Sequence, residues 1–266
     1  MKGTLSQKFE SGKKLLGTFS HIGSELGMEC LGVTGLDFAI VDNEHACFET
    51  ETTCKLVRSG DVHDFPVIAR VREISRPAIM KLLDTGASGL LIPNVESLED
   101  AKKVVQYGKF PPIGKRGFSG TRMGTWGNVY PSDQPMETCM DVYNHWAMLF
   151  LQCETASCLE QIEEIAALEG VDGIFIGPYD LSISLGIPGQ FDAPIFQAAV
   201  QRVLAACKAA GKYSIMYCGT QKDVIRYFRM GFDAVTYCLD TGILINAYKN
   251  ELNTMKEALS HVDELA

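Results

Sequence analysis

The chain reads as an α/β protein, a (β/α)8 TIM barrel in a single domain, and three observations predict it. Short apolar runs alternate with helical stretches along the whole sequence, and eight such pairs can be drawn. The runs are nearly continuous in apolar residues, as strands buried on both faces of a parallel sheet must be. The length of 266 residues, 46% of them apolar, supplies a sizeable core and suits one barrel. A doubly wound open sheet is the alternative. Against it, no G-x-G-x-x-G follows the first strand and no P-loop occurs.

In chain order, residues 14–20 give the first strand and 24–31 a helix. Residues 38–41 give the second strand, which runs into the acidic turn Asp42-Asn43-Glu44-His45, and 49–59 are helical. Residues 66–69 form the third strand, ending at Arg70. The helix at 76–84 carries Pro77 in its first turn, where a missing N–H costs nothing. Residues 90–93 and 98–107 make the fourth pair. A long irregular segment follows at 108–135, with Pro111-Pro112, Arg116 and Arg122; a loop of this size suggests a lid or a subunit contact. The fifth strand is 148–153, with a helix at 157–168. The sixth is 174–176, bounded by Gly173 and by Gly177-Pro178. The helix at 194–210 is closed by Gly211. Residues 213–217 and 221–230 make the seventh pair, and 234–238 and 242–259 the eighth. No linker divides residues 1–266.

The net charge of −9 and the absence of any basic run argue against a nucleic-acid partner. The longest apolar runs, about six to eight residues, are too short to span a bilayer. The first sixteen residues lack a signal-peptide core, so a cytoplasmic protein without a membrane partner is expected. Nine scattered cysteines without a CxxC pair read as reduced thiols packed as small hydrophobes.

In a barrel the C-terminal strand ends converge on one mouth. Polar and charged residues recur there: Ser20 and His21, then Asp42, Glu44 and His45, then Arg70, Asn94, Gln152, Glu154, Asp180, Cys218 and Asp240. Glu154 and Asp180 end successive strands and could share a hard cation such as Mg2+ or Mn2+, leaving positions for substrate oxygens. They could equally cap helix N-termini. His45, beside Asp42 and Glu44, is a candidate general base or a surface histidine paired with an acid. Arg70 ends an apolar strand, where a charge needs a partner. It could grip a substrate carboxylate or form a salt bridge to Asp42 or Glu44. His21 and His63 carry less signal.

These motifs together resemble the HpcH/HpaI aldolase family, the metal-dependent class II aldolases that handle pyruvate. The matching pieces are Asp42-Asn43-Glu44-His45, Pro111-Pro112-Ile113-Gly114-Lys115-Arg116-Gly117, Gln152-Cys153-Glu154-Thr155 and Gly177-Pro178-Tyr179-Asp180-Leu181-Ser182, in family order from about residue 15 to 245. The resemblance implies aldol cleavage or condensation of 4-hydroxy-2-oxo acids, with a 2-oxo acid and an aldehyde as small-molecule partners. It implies Glu154 and Asp180 as ligands of a divalent cation, Mg2+ or Mn2+ with Co2+ as a further candidate. Arg70 would face the keto oxygen with Gln152 nearby. The amides of Tyr179 and Asp180 would hold the carboxylate. His45 would be the acid/base, supported by Asp84 of a neighbouring subunit or by Asp42 of its own. A homo-oligomer, a hexamer, is implied, with the last helix (about 242–259) packing on a neighbour. The alternatives are an acyl-CoA lyase of the citrate lyase β or malyl-CoA type, an oxaloacetate decarboxylase, or a barrel without catalysis. Residues 118–126, 217–220 and 236–240 depart from the family pattern, which leaves the aldehyde half of the substrate open.

Overall fold

A strand sends successive side chains to opposite faces, so in a closed barrel every second residue points inward. The structure, a computed structural model, describes residues 4–127 and 134–263. Its strands are β1 (Leu15–Ser20), β2 (Phe38–Asp42), β3 (Val67–Arg70), β4 (Gly89–Ile92), β5 (Met148–Cys153), β6 (Gly173–Ile176), β7 (Tyr213–Cys218) and β8 (Ala234–Leu239). All neighbours pair in parallel, and β8 returns to β1. This is the eight-stranded barrel that the apolar runs predict, and the closed ring excludes the open sheet.

Two apolar layers follow from the alternation. Phe19, Phe38, Ile40, Ile68, Phe150, Phe175 and Ile215 fill the interior. Their intervening neighbours, such as Ala39, Val41, Leu149 and Ile174, pack outward under the helices. Burying each large side chain contributes roughly 1.5–3 kcal/mol. Gly17 leaves the room that Phe38 takes: a Cβ there would stand 2.4 Å from the Phe38 ring.

The helices are α1 (Leu5–Glu10), α2 (Glu25–Gly32), α3 (Thr50–Asp61), α4 (Arg76–Asp84), α5 (Leu98–Gly108), α6 (Met136–Trp146), α7 (Ala156–Glu160), α8 (Ile162–Ala167), α9 (Pro178–Ser184), α10 (Pro194–Ala210), α11 (Gln221–Met230) and α12 (Asp240–Asp263). Five depart from the expected pattern. α1 precedes the first strand and carries buried Leu5 and Phe9; the Phe9 ring lies 4.6 Å from that of Tyr213, so α1 seals the N-terminal end of the barrel. α6 follows the irregular segment without the expected apolar signal. The helix expected at 157–168 is broken at Gln161 into α7 and α8. Pro178, which reads as a break, is the first residue of α9, where its fixed φ suits a helix start.

The irregular segment is tied to its own barrel. Arg116 donates to Asp84 Oδ1 at 2.7 Å, and Arg122 reaches Asp61 Oδ2 at 2.5 Å and the Thr85 carbonyl at 3.2 Å. Residues 122–127 form a 3-10 helix, and 128–133 lie outside the described residues. Among the described residues no helix is long and apolar enough to cross a membrane.

Candidate active site

The inward parity that fills the barrel continues past its last apolar layer, and there it turns polar. On β2 the series Phe38, Ile40 ends at Asp42; on β3, Ile68 is followed by Arg70. On β5, Met148 and Phe150 lead to Gln152 and then Glu154. On β1, Phe19 leads to His21. Of these, His21, Arg70 and Gln152 line a cavity of about 270 Å³, with His45, Asp180 and Tyr217, while Asp42 and Glu154 are buried behind that lining.

One side of the mouth is a network of paired charges. Asp42 and Arg70 are register partners on β2 and β3. Arg70 Nε donates to Asp42 Oδ1 at 2.8 Å and Nη2 to Oδ2 at 2.5 Å, while Nη1 lies 3.0 Å from Glu44 Oε2. The guanidinium sits 5.1 Å from the Phe19 ring centroid. His21 Nε2 lies 2.7 Å from Asp42 Oδ2. Burial would raise the Asp42 carboxyl, but the His21 and Arg70 hydrogen bonds and the Arg70 charge hold it well below the usual carboxylate range. The salt bridges foreseen for Arg70, to Asp42 and to Glu44, are therefore both made, and the residue still lines the cavity.

The other side is acidic, and among the described residues no cationic side chain is bonded to Glu154 or Asp180. Glu154 Oε1 accepts from the Asn94 amide at 2.6 Å, and Oε2 lies against Gln152 Nε2. Asn94 adopts φ 54°, a left-handed conformation that asparagine tolerates, and its side chain donates to Glu44 Oε1 at 2.9 Å. Burial, then the neighbouring Glu44 and Asp180 carboxylates, push Glu154 up to about 7, against the Asn94 hydrogen bond and the Arg70 charge. Asp180 lies in the first turn of α9, exposed and with no side-chain capping bond; Thr155, not Glu154, caps α7. The capping role open to both acids is thus not the one they take. Gln152 Oε1 is buried without a partner. Gly177 is needed beside them: a Cβ there would stand 2.7 Å from Gln152 Nε2 and 3.0 Å from Glu154 Oε2.

The remaining candidates are placed as follows. The His45 side chain is 63% exposed, and its Nε2 lies 3.8 Å from Glu44 Oε2; Asp42 receives the His45 backbone amide at 3.3 Å, not its ring. Asp84 ends α4 and is held by Arg116, outside the cavity lining. Tyr179 lines the cavity, its ring 6.0 Å from that of Tyr217. His21, to which sequence reasoning gave little weight, also lines the cavity. Its signal was parity: it stands two positions after Phe19 on an inward-facing strand. Among the described residues no group of three or more His, Cys, Asp and Glu is arranged to hold a metal.

Comparison with known proteins joins this geometry to a family. The model of the family described as HpcH/HpaI aldolase/citrate lyase matches residues 16–247. A hydroxypyruvate/pyruvate aldolase of Chromohalobacter salexigens is 34% identical over 246 residues, covering 90% of this chain and 92% of that protein. A 2-keto-3-deoxy-L-rhamnonate aldolase of Escherichia coli is 31% identical over 217 residues, 79% of either chain. The crystal structure of an HpcH/HpaI aldolase from Desulfitobacterium hafniense superposes with a TM-score of 0.88 at 27% identity, covering 96% of this chain and 97% of that one. A closed parallel barrel with an arginine–aspartate pair facing two acids across its mouth, matched over nearly its whole length, belongs to the HpcH/HpaI aldolase/citrate lyase family.

Proposed function

We propose that this carbon–carbon lyase cleaves 4-hydroxy-2-oxo acids to pyruvate and an aldehyde through a pyruvate enolate, and runs the condensation in reverse, with a divalent cation held by Glu154 and Asp180. The observation that carries this reading is the asymmetry of the mouth: an arginine fixed by a buried aspartate faces two carboxylates that have no cation of their own.

The donor set fits a hard cation. Glu154 is raised to about 7 by burial and by Glu44 and Asp180, and a positive charge beside it would relieve that strain. Two carboxylates, with the unpartnered Gln152 Oε1 nearby, leave room for water and substrate oxygens. Mg2+ or Mn2+ suits such oxygen ligands, and Co2+ can take the same positions. Bound there, the cation would supply Lewis-acid stabilisation of the charge that develops as the enolate forms.

The chain's own residues do the rest. Arg70, immobilised by two bonds to Asp42, would direct its guanidinium at the 2-oxo oxygen, where negative charge grows in the transition state. Because the fork is already oriented, little reorganisation accompanies the reaction. Gln152 would lie against the same end of the substrate. The Tyr179 and Asp180 amides fall in the first turn of α9, where N–H groups have no partner within the helix, and would receive the carboxylate. A histidine at the mouth would move the hydroxyl proton; the resemblance points to His45, and Asp42 and Asp84 are the acids it suggests for support. No lysine lines the cavity, so a Schiff base has no donor there.

An acyl-CoA lyase would need a basic surface for the nucleotide beside the cavity, and the lining offers only Arg70, already paired. Oxaloacetate decarboxylation passes through the same enolate and is compatible with the site as a side reaction. The exposed Leu244, Tyr248, Leu252, Met255 and Leu259 of α12 recur at helical spacing and support packing on another copy in a homo-oligomer. The test is pyruvate release from 4-hydroxy-2-oxopentanoate before and after EDTA. Activity should fall at least a hundredfold on chelation and return with Mn2+ or Mg2+; full activity in EDTA would refute the cation's part.

A further inference from the structure

We infer that the aldehyde half of the substrate is apolar, aliphatic or aromatic, and that Tyr217 and Leu239 are the residues that select it. The inference rests on the aldol-cleavage reading and adds to it the chemical class of the aldehyde.

The lining of the mouth divides by strand. Arg70 and Gln152 come from β3 and β5, and the two acids follow β5 and open α9. The 2-oxo acid end of the substrate belongs with these groups. Phe19, Phe175, Tyr217 and Leu239 come from β1, β6, β7 and β8, which are consecutive in the closed ring. None of the four carries a charge. A substrate gripped by its oxo-acid end on the first arc has its remaining carbons against the second.

Ring contacts hold the apolar arc in place before any ligand arrives. Phe19 lies 6.0 Å from Phe175 and 5.9 Å from Tyr217, both edge to face, and Tyr217 lies 6.0 Å from Tyr179. Tyr217 is half-buried, and burial pushes its hydroxyl up to about 12, so the phenol stays neutral. A polyhydroxylated aldehyde would lay its hydroxyls against ring faces and a leucine, which cannot bond them, and unpaired polar groups are costly to bury. A hydrocarbon tail gains from the same surface.

Leu239 owes its place to an irregularity in β8. Gly17 pairs with Thr236, yet two residues on Phe19 pairs with Leu239, so β8 holds one residue more than β1. The strand accommodates it with Cys238 at φ 54°, a left-handed conformation uncommon for cysteine. The Tyr237 and Cys238 carbonyls lie 3.0 and 3.4 Å from the Thr18 hydroxyl, and the Cys238 thiol donates to the Gly219 carbonyl at 3.3 Å. Ala234 packs in the interior, so an unbroken alternation would send Cys238 into the mouth. The extra residue puts Leu239 there instead. A strained backbone that exchanges a thiol for a branched hydrocarbon at the cavity wall marks that wall as built for apolar contact.

The test is condensation of pyruvate with benzaldehyde, 3-methylbutanal and D-glyceraldehyde by the Mn2+-loaded protein, read as kcat/KM for each aldehyde. Exchange of the pyruvate methyl protons with D2O is followed beside it, because it reports enolate formation with no aldehyde present. Wild type should favour both apolar aldehydes over glyceraldehyde by about tenfold or more. Tyr217→Ala and Leu239→Asn should each cut that preference about tenfold, mostly through KM, while proton exchange persists. Tyr217→Phe keeps the ring and should hold the preference within about twofold. Cys238→Gly keeps the left-handed turn without its side chain and should hold it equally well. A preference unchanged in both Tyr217→Ala and Leu239→Asn overturns the inference. So does a preference that collapses in Tyr217→Phe, which would make the hydroxyl the selecting group, or in Cys238→Gly, which would make it the thiol. Proton exchange together with a wild-type preference for glyceraldehyde fails this inference alone. If wild type neither exchanges pyruvate protons nor condenses any aldehyde, the function proposed above fails, and the inference with it.

Discussion

The two halves of the mouth are built on opposite principles. On the β1–β3 side every charge has a partner: Asp42 is clamped by Arg70 and His21, and Glu44 is shared between Arg70 and Asn94. On the β5–β6 side Glu154 and Asp180 face one another's charge with only an amide and a side-chain carboxamide for support. The first half is complete as it stands, rigid and preorganised. The second is incomplete, and its deficit is of the sign that a cation corrects. Buried carboxylates are tolerated when bonded or paired, so Glu154, pushed up by its acidic neighbours, is where a cation would be most favourable.

Breaking the complete half should have the largest effect. Arg70→Ala leaves Asp42 buried with His21 and two backbone amides but without its arginine, which should destabilise the fold by about 3–5 kcal/mol and lower kcat for cleavage about a thousandfold or more. Arg70→Lys should recover little of either, since an ammonium cannot make the two-point contact. Thermal melts and steady-state kinetics check both, and an Arg70→Ala protein with unchanged melting would break the comparison.

Changing the incomplete half should act in the opposite direction on stability. Glu154→Gln removes a proposed ligand, and cation affinity measured by calorimetry should fall at least a hundredfold. In metal-free protein the folded carboxyl keeps its proton up to about 7, whereas the ordinary value is 4.5. The unfolded state therefore ionises first, and wild type should lose stability as pH rises from 4.5 to 7, by up to about 3 kcal/mol. Glu154→Gln should flatten that slope, so denaturant melts at pH 5 and pH 8 should differ less than in wild type. A smaller change sharpens the contrast: Gly177→Ala intrudes first on Gln152 and Glu154 and should cost roughly tenfold in kcat/KM.

The barrel was legible because eight buried parallel strands leave an apolar record that repeats. Helices that lack such a record were not. α1 has six residues, and its placement depends on Phe9 meeting Phe150 and Tyr213, far away in sequence. α6 and α9 lie where loop-forming residues dominate the local signal, and Pro178 reads as a stop until the strand before it is known to end. Asp42, Arg70, Gln152 and Glu154 could be picked out because each ends an apolar run. Their pairing could not, since the two-point contact of Arg70 with Asp42 is set by the register between β2 and β3. Asp84 illustrates the limit of reading by position: within its own chain it is bound to Arg116, an attachment that no local pattern announces.

The Asp240 carboxylate accepts hydrogen from the Ser20 hydroxyl and from the amides of His21, Ile22 and its own neighbour Thr241. The turn after the first strand is thereby moored to the start of the final helix. During synthesis the ribosome releases that mooring point more than two hundred residues after the turn it secures. A nascent chain can therefore have all eight strands made before the turn after the first is tethered, which leaves the rim of the barrel as the last part to set.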